Sequence, residues 1–142
     1  MFYKNQSAND RLAIWRDLRQ TNFSNIEDLV LEYQSINLVS RYLDYYTPSS
    51  WPDPFEIVNE GYFCQSGVTL LIVSHLIYAD FISSDVLEFP VISNNINGRD
   101  GAVFMYNEKM FNLDPMSAVN IDVAQQHYVE LSDLKNLHIP LI

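Results

Sequence analysis

The chain has 142 residues, the length of one domain at roughly 100–200 residues each. Eight Lys and Arg against eighteen Asp and Glu leave a net charge of −10, which argues against direct contact with nucleic-acid phosphates, an affinity built on basic side chains. Apolar residues make up 48 %, too many for an acidic disordered tail, and the lone cysteine, Cys64, excludes an internal disulfide and a multi-cysteine zinc site.

Asn9-Asp10 reads as the N-cap of a first helix running through Arg19, with Leu12, Trp15 and Leu18 as its apolar stripe. Ser24-Asn25-Ile26-Glu27 has the form of a capping box, and Ile26, Leu29, Val30 and Tyr33 carry the period of a second helix. From Tyr42 to Phe55, aromatics interleaved with Pro48, Pro52 and Pro54 predict a rigid, packed connection. Asp53-Pro54 then opens a short helix that Gly61 stops. Cys64 sits just before a stretch that is apolar nearly all round from Val68 to Ala79, a central buried helix.

The second half predicts strands. Val86–Ile92, interrupted by Pro90, reads as an edge or bulged strand, and 93–101 as a turn-rich loop. Ala102–Tyr106 and Lys109–Leu113 form a hairpin about Asn107-Glu108. Residues 118–129 fit helix and strand equally. The whole of 1–142 reads as one α+β domain, helical over 8–80 and mainly β over 86–131. Its N-terminus lacks the basic start and apolar core of a secretory signal, and the run around Val68–Leu76 is half of what a membrane span requires. The expectation is a cytoplasmic protein with no membrane contact.

Trp51, Pro54, Glu56-Ile57, Gly61, Cys64 at the head of the apolar helix, and a hairpin ending Asn112-Leu113-Asp114-Pro115 together resemble the transglutaminase-like branch of the papain-type cysteine fold. The resemblance covers roughly residues 51–116. It implies a nucleophilic Cys starting a central helix packed on an antiparallel sheet, a His on one strand and an Asp on the next. Cys64 then matches the nucleophile and Asp114 the orienting carboxylate. The His belongs near Asp100–Val103, where none occurs. The segments Asp44–Pro48 and Phe63–Gly67 also look like those of small proteins of tailed bacteriophages, which would set the chain in a host cytoplasm.

A helix N-terminus stabilises a thiolate, but acyl transfer also needs a base, normally an imidazole oriented by a carboxylate. His75 lies eleven residues beyond Cys64, about 16 Å along a helix, where direct proton transfer is impossible. His127 and His138 follow the matched Asp and would demand a rearranged triad, while Asp100 would make an unusual carboxylate base. Two functions stay open. One is a non-catalytic, acidic module on a degenerate scaffold that binds a protein partner, with no cofactor and no metal. The other is a cysteine-dependent acyl-transfer or amide-hydrolysing enzyme using Cys64, with Asp114 or His127 assisting.

Overall fold

The structure, a computed structural model, describes residues 2, 5–41, 43–45, 47–83, 87–113 and 116–133. Helix starts in it follow the nearest free acceptor. Helix α1 (Ala8–Arg19) begins ahead of the expected Asn9-Asp10 because Ser7 supplies the cap, its hydroxyl accepting from the Asp10 amide at 3.1 Å. In α2 (Ile26–Tyr33) the cap is Asn25, one residue past the expected Ser24, with Oδ1 accepting from the Asp28 amide at 2.8 Å. That shift puts Glu27 in the first turn without the reach back to the cap, and it pairs with Lys109 instead, at 2.6 Å.

Helix α3 (Pro54–Glu60) has the expected capping box between Asp53 and Glu56 and ends at Gly61 with φ +76°. A side chain at Gly61 would be doubly refused, since a Cβ there would lie 2.8 Å from the Arg11 guanidinium carbon. Arg11 in turn donates to the Val58 and Asn59 carbonyls at 2.8 and 2.7 Å, closing the end of α3 from α1. Helix α4 (Gln65–Tyr78) is buried from Ser66 to Leu76, the central helix that its unbroken apolarity demands.

The β region divides into two three-stranded antiparallel sheets where one small sheet was expected. In the first, β1 (Pro90–Asn94) lies between β2 (Arg99–Ala102) and β6 (Tyr128–Asp133). In the second, β4 (Lys109–Leu113) lies between β3 (Phe104–Tyr106) and β5 (Met116–Asn120). The expected loop 93–101 shrinks to the four residues between β1 and β2, because Gly98 at φ +71° lets the chain reverse tightly. The expected strand 102–106 is broken at Val103, whose amide donates to the Pro90 carbonyl as the chain leaves one sheet for the other. Asn107 and Glu108, at φ +50° and +62°, make the hairpin turn between β3 and β4. The ambiguous 118–129 stretch resolves into the end of β5, the single turn α5 (Ile121–Ala124) and the start of β6.

The α+β architecture leaves one principal core. Trp15, Tyr33, Leu70 and Leu71 from the helices meet Phe104 and Phe111 from the second sheet, each at most 2 % exposed and each worth about 1.5–3 kcal/mol of burial. No helix among the described residues is long and apolar enough to cross a membrane.

Candidate functional site

Cys64 is itself the N-cap of α4. Its Sγ accepts from the Gly67 amide at 3.3 Å, and its side chain is 7 % exposed. Gly67 permits this closeness, since a Cβ there would stand 3.3 Å from the sulfur. The next three polar side chains of α4 tie the helix head to both sheets. Gln65 Nε2 donates to the Ala102 and Asn112 carbonyls, both at 2.8 Å. Ser66 Oγ accepts from the Ala102 amide at 3.0 Å, and Thr69 Oγ1 donates to the Ala102 carbonyl at 2.8 Å. Asn112, held at φ +64° in β4, returns its amide group to Thr69 Oγ1 at 2.7 Å.

Tyr45 completes the frame from the aromatic-proline connection. Its hydroxyl lies 2.8 Å from Ser66 Oγ and donates to the Asp100 carbonyl at 3.3 Å. Burial pushes this phenol above its ordinary range; the Ser66 bond opposes the shift, while the charges of Cys64 and Asp100 add to it. It therefore keeps its proton at neutral pH. Trp51, edge-on to Tyr45, anchors the connection by donating to the Asp44 carbonyl at 2.7 Å.

These elements enclose a cleft of about 410 Å³ with Cys64 on its wall. Leu38 and Val39 give it exposed apolar surface, with Leu43, Ile92, Val103 and Leu113 buried behind; Arg41, Arg99 and Asp100 are its charged residues among those described. The structure thus puts Cys64 and Asp100 on the lining of one cavity, where Asp100 is exposed and meets Tyr45 through its backbone carbonyl. It does not bring His75 there. That ring is fully buried near the far end of α4, its Nδ1 2.8 Å from the Tyr33 hydroxyl, which also accepts from Trp15 Nε1 at 2.9 Å. Burial, and secondarily the Arg19 charge, lowers His75 to about 4, so the ring is neutral. His127 lies between α5 and β6, with its carbonyl accepting from the Asn95 amide, and is not part of the cleft lining. Asp114 and His138 lie outside the described residues. Among the described residues no three His, Cys, Asp or Glu side chains gather as a metal site.

Sequence reasoning missed Arg41, Tyr45 and Ser66 as cleft residues and took Arg99 for part of a turn. Only Gln65 and Ser66 carried a signal, as polar residues on the first turn of an otherwise apolar helix.

No family model matches the chain, and no curated protein matches it in sequence. Solved structures do match. Calcium-bound LapG of Legionella pneumophila superposes with a TM-score of 0.71 at 11 % identity, over 92 % of this chain and 77 % of that one. Another structure of the same protein gives 0.65 at 11 % identity, over 93 % and 74 %. These likenesses show the fold, a transglutaminase-like one, as the residues around Cys64 imply.

Proposed function

We propose that this chain is a binding module on a transglutaminase-like scaffold, which takes a segment of a protein partner into the Cys64 cleft without cleaving or acylating it. The observation that carries this reading is the company Cys64 keeps: a phenol, amides and hydroxyls line the cleft, and the described lining holds no imidazole. A carboxylate such as Asp100 would be a weaker base than an imidazole by roughly two to three powers of ten. In such a cleft the thiol serves as a small, polarisable apolar surface.

A second reading, a cysteine-dependent acyl-transfer or amide-hydrolysing enzyme, draws on the fold shared with LapG and on Cys64 heading the central helix. The two separate on one experiment. Wild type and Cys64→Ala are incubated with thioester and activated-amide substrates, and released product and acylated protein are followed by mass spectrometry. The binding reading expects equal background rates from both chains and no acyl adduct on residue 64. Turnover that vanishes in Cys64→Ala would refute it.

A further inference from the structure

The charge of the cleft runs against that of the chain. Among the described residues two cations, Arg41 and Arg99, line it against one acid, Asp100, in a molecule of net charge −10. Arg41 is matched by Glu60 at 2.8 Å. Arg99 is exposed at the start of β2 and makes no ion pair among the described residues. Asp100 follows it in the same strand, so the two side chains leave on opposite faces and do not neutralise each other.

The backbone of β2 has a direction as well. The Ala102 amide goes to Ser66, and the Asp100 and Ala102 carbonyls go to Tyr45 and Thr69. Residues 100 and 102 therefore turn their peptide groups away from β1, as antiparallel alternation requires, and the Asp100 amide turns the same way, toward the cleft. Across from it, residues 38–41 are held beside the cysteine by the Val39 amide donating to the Phe63 carbonyl at 2.8 Å. The exposed apolar side chains of this wall are Leu38 and Val39, while Leu43, Ile92, Val103 and Leu113 are buried behind them.

We infer that the partner segment is extended and acidic: it runs between residues 38–41 and the outward edge of β2, places an apolar side chain against Leu38 and Val39, and gives a carboxylate to Arg99. This rests on the binding reading above and specifies its ligand. The global charge does not forbid it. At physiological salt, charges beyond about 8 Å are screened, so the cation at the contact outweighs the distant acids.

The test uses the intact chain and three fluorescein-labelled nonapeptide mixtures, alike in randomised neutral positions and carrying Glu, Gln or Lys at the centre. Fluorescence anisotropy measures affinity, and protection of Cys64 from iodoacetamide shows that binding is in the cleft. The Glu mixture is expected to bind about tenfold tighter than the Gln mixture. Arg99→Ala should erase that preference while leaving the melting temperature unchanged, and Arg99→Glu should favour Lys. If Gln or Lys mixtures protect Cys64 as well as Glu does, or the Glu preference survives Arg99→Ala, the acidic assignment is overturned and the binding reading stands. If no mixture binds or protects, both fall.

Discussion

Gly101→Ala probes the clamp that shapes the cleft. A Cβ at this position would lie 2.2 Å from Gln65 Oε1 and 3.1 Å from its Cδ, so the glutamine side chain must move. It is not free to move cheaply, because its Nε2 holds two carbonyls at 2.8 Å. Ala102 keeps a donor in Thr69, so losing Gln65 there costs about 0.5–1.5 kcal/mol. Asn112 has no register partner in β3 or β5, and its carbonyl is left unpaired at a further cost of about 1–3 kcal/mol. The expected loss is about 2–4 kcal/mol, read as a fall in the urea midpoint at constant slope. Gln65→Ala removes the same bonds without the clash, so the double variant should be about as stable as Gln65→Ala alone. A Gly101→Ala cost below about 0.5 kcal/mol, or additive effects in the double-mutant cycle, would refute the clamp.

Three further outcomes follow from other parts of the fold. His75, lowered to about 4 by burial against an ordinary 6.5, takes up a proton more readily when unfolded; its neutral packing is fully effective above pH 6.5 and is lost as pH falls toward 4, by at most about 3 kcal/mol. Urea unfolding at pH 7.5 and pH 5 should show this slope in the wild type and a shallower one in His75→Gln. Asp53→Ala removes the capping box of α3 and should cost about 1 kcal/mol in the same assay, where no change would discount the cap. Glu27, held below the usual carboxylate range chiefly by its bond to Lys109, stabilises the fold above that range and loses the effect as pH falls through its folded value. Both side chains are about two-fifths exposed, so Glu27→Gln should cost under about 1 kcal/mol and less in high salt; a larger, salt-independent loss would contradict a surface pair.

What could be read from the chain alone was local. Asp53-Pro54 and Gly61 bracket α3 because cap and stop act through neighbouring peptide groups, and the same holds for Asn107-Glu108 in its hairpin. The starts of α1 and α2 slipped by one or two residues because several adjacent side chains could cap, and only packing selects among them. The cleft was less legible. Tyr45 and Ser66 are twenty-one residues apart and meet only because α4 docks on β2, and Arg99 is a cleft residue only because β2 starts there. No periodicity in sequence records such meetings. The cysteine was legible because a helix start is local, while its neighbours, which decide its chemistry, were not.

Those neighbours can be sorted by what their polar atoms already do. Gln65, Ser66, Thr69 and Asn112 are bound to one another or to backbone of β2 and β4, and Tyr45 is shared between Ser66 and Asp100. Groups so engaged hold the walls in place. Among the described residues the sulfur of Cys64 takes only the Gly67 amide, and Arg99 pairs with no acid. Capping does not explain the sulfur, because a serine would accept from the same amide more strongly. The atom at the head of α4 is therefore better matched to what enters the cleft than to the helix it starts. A guanidinium on the same cleft lining as that sulfur, with no imidazole among the described lining, is the combination on which the proposed recognition of an acidic segment rests.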